Sequence, residues 1–157
     1  MKRRIYLETT VVSYLAARPS RDVIVLAHQD LTREWWANRS ASFDLCVSQP
    51  VLEEAGRGDP EVAGRRMALL QPIPIVEVDL PALQLARRLL AEGAVPEAAS
   101  VDALHIAIAA RHRTDYLLTW NCLHIANAAR RDSIGRACMA AGWASPLICT
   151  PEELMED

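Results

Sequence analysis

Aromatic residues are scarce in this chain, with three tyrosines, one phenylalanine and four tryptophans in 157 residues. The core must therefore be built mainly from Leu, Ile, Val and Ala, with alanines letting helices approach closely. Cysteines are few and scattered at Cys46, Cys122, Cys138 and Cys149, with no C-x-x-C pair and no histidine at finger-like spacing. That excludes a zinc finger and points to reduced thiols in a cytoplasmic protein. No run approaches the roughly 20 apolar residues that span a bilayer. Ile5 to Leu7 is too short for a signal sequence, and a charged residue follows it at once.

Positive charge is not in excess either, since the net charge is −3. No global basic field announces a nucleic-acid partner, which weakens that reading without removing it. Local groups remain: Lys2, Arg3 and Arg4; Arg111 and Arg113; Arg130, Arg131 and Arg136. Each can meet phosphates, but each taken alone is better read as a solvated face. What is present is an ordinary soluble composition, 51% apolar and 24% charged, in a chain of 157 residues. This reads as one domain over 1–157, with no repeat, low-complexity segment or linker.

Strands and helices alternate along the chain. Ile5 to Leu7 reads as a buried strand ending at Glu8, followed by a short helix over Val11 to Ala17 that Pro19 stops. From Asp22 to Arg39, the residues Val23, Ile24, Ala27, Leu31 and Trp35 predict the buried face of an amphipathic helix. Phe43, Leu45 and Val47 give a strand with period two. Ser48 then predicts a helix cap, with Pro50 in the first turn and Gly56 and Gly58 at the end. Asp59 before Pro60 opens a further helix to Leu70. Ile73 to Val78 reads as a strand, Leu80 to Glu92 as a helix with Gly93 at its stop, and Ser100 as the next cap. Val101 to Ala110 is apolar nearly all round, implying a buried helix. Tyr116 to Leu118 is a strand. Helices broken near Asp132 and Gly142 follow, then a strand over Leu147 to Cys149. Thr150, Pro151 and Glu153 form a capping box for a closing helix. The alternation predicts an α/β fold with a parallel sheet covered on both faces.

In such sheets ligands bind beyond the carboxyl ends of the strands, where connections diverge. Glu8 and Asn121 sit at strand ends, Glu54 lies on the helix after the second strand, and Asp102 lies in the first turn of the buried helix. Carboxylates gathered there repel by about 4 kcal/mol per pair at ~4 Å and an effective dielectric near 20, a cost that a hard cation removes. The four therefore suggest a divalent-metal site. Each also has a plainer explanation. Glu8 and Asp102 favour helix N-termini, Glu54 is a surface residue beside Glu53, and Asn121 holds a turn. Asp102 fits its plain explanation least well, because an unpaired acid among apolar neighbours is expensive.

Four stretches, in order, carry a resemblance: Tyr6-Leu7-Glu8-Thr9-Thr10-Val11-Val12; Ser48 six residues before Glu54; Val101-Asp102-Ala103-Leu104-His105-Ile106-Ala107-Ile108-Ala109; and Leu117-Leu118-Thr119-Trp120-Asn121. Together they span nearly the whole chain, which resembles PIN-domain proteins, many of which are VapC-like toxins. The resemblance implies a three-layer sandwich around a five-stranded parallel sheet of order 3-2-1-4-5. It also implies a Mg²⁺- or Mn²⁺-dependent endoribonuclease. By that likeness Glu8, Glu54 and Asp102 are catalytic metal ligands, Asn121 occupies the fourth acidic position, and Thr119 hydrogen-bonds near it. The family pattern has Asp where this chain has Glu8 and Asn121. Glutamate adds one methylene, and asparagine offers only a neutral carbonyl oxygen.

His105 follows Asp102 on the same helix face, either as a proton donor or phosphate contact, or as a buried histidine bonded to a neighbour. His124 and Asn127 either line the cleft or stabilise the start of a helix. Cys122 has no base beside it in sequence and is not read as a nucleophile. Two functions follow: an RNA-cutting toxin, or a PIN-like module that holds RNA or a protein without cutting. A DNA-processing nuclease is a third. An antitoxin partner and a homodimer are implied by the resemblance. Trp35 beside Trp36 suggests that one of the two serves an interface.

Overall fold

A computed structural model describes residues 1–156. Its sheet contains β1 (Arg4–Leu7), β2 (Asp44–Ser48), β3 (Ile75–Val76), β4 (Tyr116–Leu118) and β5 (Leu147–Cys149). All pairings are parallel and the order is β3-β2-β1-β4-β5, as the resemblance implies. β1 is central. Ile5, Tyr6 and Leu7 are all buried, the continuous apolar run that a strand covered on both faces requires. Tyr6 lies opposite Cys46 on one side and Leu117 on the other.

The helices are α1 (Thr9–Ala16), α2 (Val23–Asn38), α3 (Gln49–Ala55), α4 (Pro60–Leu70), α5 (Leu80–Ala91), α6 (Ser100–Arg111) and α7 (Ala128–Ala140). α1 packs against α2, α3 and α4, whereas α5 packs against α6 and α7. The chain winds outward from β1 to β3, then crosses to β4 on the opposite side of β1. The strand order therefore reverses between β1 and β4, and a crevice opens at their carboxyl ends. Glu8 follows one of these strands and Thr119 the other.

Several local expectations differ from the structure, for physical reasons. The buried face of α2 is formed by Gln29, Thr32 and Trp35, while Val23 and Ile24 are exposed at 80% and 68%. The hydrophobic pattern there marked residues of an exposed first turn, because apolar character does not say which side of a helix packs inward. Ser48 precedes α3 but gives it no side-chain cap; its hydroxyl turns inward to Tyr6 at 2.6 Å. Ser100 is the first residue of α6, with no side-chain cap before it. α7 runs unbroken through Asp132, which pairs with Arg136 at 2.7 Å, one turn on. β3 is two residues long. The capping box at Thr150 is present but heads a 3₁₀ turn over Pro151–Leu154. Trp35 is fully buried, and Trp36 beside it packs against the core while staying partly exposed.

Asp22, Asp59 and Asp79 cap α2, α4 and α5 through side-chain carboxylates. Gly93 ends α5 with φ +71°, a left-handed conformation that favours glycine. No helix among the described residues is long and apolar enough to cross a membrane.

Candidate metal and nucleic-acid site

Glu8 leaves the end of β1 and caps α1, so its carboxylate points into the β1/β4 crevice. Thr119 and Thr10 donate hydroxyl hydrogen bonds to its Oε1 at 2.6 and 2.5 Å, and the Thr10 N–H reaches Oε2 at 3.2 Å. Burial pushes the Glu8 carboxyl above its ordinary value, against the lowering effects of His105, Thr10 and Thr119. The two threonines hold the next segment as well. Thr10 accepts the Trp120 N–H at 2.8 Å, and Thr119 accepts the Asn121 N–H at 2.9 Å.

Glu54 projects from α3 toward α6. His105, fully buried on α6, meets Glu54 Oε1 through Nε2 at 2.5 Å, and Thr9 donates to the same oxygen at 2.8 Å. His105 Nδ1 lies 2.7 Å from the Tyr6 hydroxyl, which lies 2.6 Å from Ser48 Oγ. The Glu54 carboxylate only accepts, so the imidazole donates Nε2–H to it, and Glu54, His105, Tyr6 and Ser48 form one continuous hydrogen-bonded chain. Burial works to raise the Glu54 carboxyl, but the His105 hydrogen bond and charge, Thr9 and Arg57 outweigh it and hold it below its ordinary value. The Tyr6 phenol is raised well above its usual value, chiefly by burial.

Asp102 sits in the first turn of α6 and meets His124 Nδ1 at 2.9 Å. Asn121 does not contact Glu8 through its side chain. Its Oδ1 accepts the His124 N–H at 3.1 Å, holding the turn that follows β4. Asn127 caps α7, the plainer of its two expected roles.

The predicted residues fall into three hydrogen-bonded groups: Glu8 with Thr10 and Thr119; Glu54 with Thr9, His105, Tyr6 and Ser48; Asp102 with His124 and Asn121. Among the described residues, no three His, Cys, Asp or Glu side chains stand close enough together to hold a metal ion. The expected mutual repulsion of the acids is accordingly replaced by separate hydrogen bonds from neighbours. In kind, the donor set still suits a hard cation, with carboxylate and amide oxygens and one carboxylate whose burial is incompletely compensated. The roles of Thr9, Thr10, Tyr6 and Ser48 were not read from the sequence. The adjacent Thr9-Thr10 pair at a helix start beside an acid was the available signal.

The basic clusters are mostly engaged elsewhere. Lys2 bonds Ala41 O, Arg3 the Tyr116 hydroxyl and Arg4 the His112 carbonyl, all at the amino end of β1 and away from the crevice. Arg111 pairs with Asp79, and Arg136 with Asp132. A cleft of about 580 Å³ lined by Arg131, Ser145, Ile148 and Glu153 includes none of the predicted site residues.

With strand order and crevice established, solved structures give a direct comparison. The VapC20 toxin of Mycobacterium tuberculosis, which cleaves the sarcin–ricin loop, superposes with a TM-score of 0.56 at 18% identity over 72% of this chain and 86% of that one. The fold is the PIN-domain fold of the VapC toxins. VapBC2 from Rickettsia felis, solved bound to a DNA fragment from its promoter, matches 94% of this chain and 98% of its own, with TM-score 0.59 and 13% identity. FitAcB from Neisseria gonorrhoeae matches 96% and 99%, with TM-score 0.59 and 18% identity. No protein-family model and no curated protein matches the sequence. At these identities the PIN likeness is a likeness of fold.

The raised Glu8 carboxyl gives a pH prediction. A carboxyl raised in the folded state binds its proton more tightly there than in the unfolded chain. Its penalty is absent below the ordinary glutamate value and grows as pH rises through the window up to the raised value. Without divalent cation, wild type is expected to lose stability across that window, and Glu8→Gln to lack that component. Parallel melting curves from pH 4 upward would refute it if the two profiles had the same slope.

Proposed function

We propose that this PIN-fold protein is a divalent-metal-dependent endoribonuclease, the toxin of a toxin–antitoxin pair. The observation that carries the reading is Glu8, a buried carboxylate at the carboxyl end of β1, in the crevice where the sheet order reverses. The fold shared with VapC20, whose own target is an RNA loop, supports the substrate class. Glu8, Glu54 and Asp102, with the Asn121 carbonyl oxygen, would hold Mg²⁺ or Mn²⁺. Such an ion supplies an activated water and steadies the charge on a phosphate. The protein's own contribution is positional. His105 and Thr9 aim Glu54, Thr10 and Thr119 aim Glu8, and His124 holds Asp102. Single-stranded or looped RNA suits an open crevice better than a duplex. An antitoxin would be the protein partner, with a second copy of the chain as a further one.

The test is cleavage of a mixed RNA pool with manganese, with chelator, and with DNA in place of RNA. Metal-dependent RNA fragments support the proposal; none at any manganese concentration sinks it. Manganese is also expected to raise the melting temperature, since an ion bound only by the native state adds about 2.7 kcal/mol at one hundred times its dissociation constant. No shift at millimolar manganese would count against the ligand set.

A second reading, a PIN-like module that binds without cutting, is favoured by the separate protein partners of each acid and by the neutral Asn121. Asn121→Asp separates the two. It keeps an acceptor for the His124 N–H and adds a carboxylate, so manganese affinity should rise if this position faces the ion. Unchanged affinity by calorimetry would place residue 121 outside the ligand set.

A further inference from the structure

Three of the few aromatic side chains belong to the segments around Glu8: Tyr6 in β1, Tyr14 on α1, and Trp120, which follows β4 and is tied to Glu8 through Thr10. Tyr6 is consumed by the buried hydrogen-bond chain. Tyr14 is not. It lies on α1 four residues beyond Thr10, one turn along the same helix face and about 6 Å further on. Thr10 itself bonds both the Glu8 carboxylate and the Trp120 N–H.

The Tyr14 ring stacks on the Trp120 indole, with centroids 6.0 Å apart and planes 20° from parallel. His28 stacks on the same indole at 4.1 Å and 14°. Trp120 is locked below this stack, being 7% exposed with its Nε1–H donated to Thr32 at 2.7 Å. Tyr14 remains half-buried, and its hydroxyl has no hydrogen-bond partner among the described residues. The result is an aromatic ring backed by a rigid indole, one helical turn from the threonine that holds Glu8, with part of its surface open.

We propose that Tyr14, backed by Trp120 and His28, is a stacking platform for an unpaired base of a single-stranded RNA whose phosphate lies at the carboxylate crevice. This rests on the ribonuclease reading for its substrate class. Every base presents a π-face, so the platform favours an unstacked nucleotide over a particular base. It also disfavours duplex RNA, whose bases are already stacked. The site thereby selects loops and single strands through geometry, in a protein without a net basic charge.

The test is binding of a labelled single-stranded RNA of about 12 nucleotides, read by fluorescence anisotropy with calcium in place of manganese to slow hydrolysis. One abasic nucleotide is moved through the sequence, and cleavage of the parent RNA with manganese is run in parallel. Tyr14→Leu keeps an apolar side chain over Trp120, and Tyr14→Phe keeps the ring. In wild type and Tyr14→Phe, one abasic position should weaken binding by about 5- to 100-fold, and in Tyr14→Leu that position should no longer matter. A merely structural role would weaken all RNAs alike. If wild type cuts RNA but no position depends on Tyr14, the platform is overturned and the ribonuclease reading stands. If the position-dependent loss appears without cleavage, the platform stands and the ribonuclease reading falls. No RNA binding, or the pattern with DNA alone, overturns both.

Discussion

Asp102→Ala is expected to reduce manganese-dependent RNA cleavage by more than about 100-fold, the upper end of what even a supporting residue costs at a metal site. The side chain is the acid on α6 that faces the crevice, and its one partner there is His124 at 2.9 Å. Asp102 belongs to no group of three ligand-type side chains among the described residues, so the substitution relieves little repulsion. Instead it removes a partly buried hydrogen bond to His124 and an acid from a helix first turn, together costing about 1 kcal/mol. The variant should therefore melt within a few degrees of wild type. Cleavage at the wild-type rate by the folded variant would remove Asp102 from the catalytic set.

The largest stability effect is expected at His105. The imidazole is fully buried and joins Glu54 to Tyr6 by hydrogen bonds of 2.5 and 2.7 Å. His105→Ala leaves a cavity, strips Glu54 of its imidazole donor and leaves the Tyr6 hydroxyl with Ser48 alone. The cost should be about 3 kcal/mol, or roughly 6–12 °C for a chain of this size. Tyr6→Phe removes only the hydroxyl and should cost about 1 kcal/mol. Equilibrium urea unfolding of both variants would decide it: a His105→Ala loss no larger than that of Tyr6→Phe would mean the chain of bonds does not hold Glu54.

Much of this architecture was readable from local pattern. Strands such as Tyr116–Leu118 and Leu147–Cys149 are short apolar runs between turn residues, and the caps at Asp59 and Thr150 depend on neighbours within three residues. Where the reading failed, the deciding contact was distant in sequence. Ser48 has the composition and position of a cap, but Tyr6, 42 residues away, takes its hydroxyl. Val23 and Ile24 have the spacing of a core face, but the buried side of α2 is the one that carries Thr32, where Trp120, 88 residues away, supplies the partner.

The same division runs through the site. The sequence by itself determined the order of elements, the acids at Glu8, Glu54 and Asp102 and the amide at Asn121, because strand ends, helix starts and apolar runs are local properties. Only the tertiary structure decided which partner each acid has. Glu8 is held by Thr119 from 111 residues away, Glu54 by His105 from 51, and Asp102 by His124 from 22. Side-chain hydrogen bonds depend on ångström-scale distances and on which faces meet across the β1/β4 crevice, and the spacing of residues along a chain does not encode either.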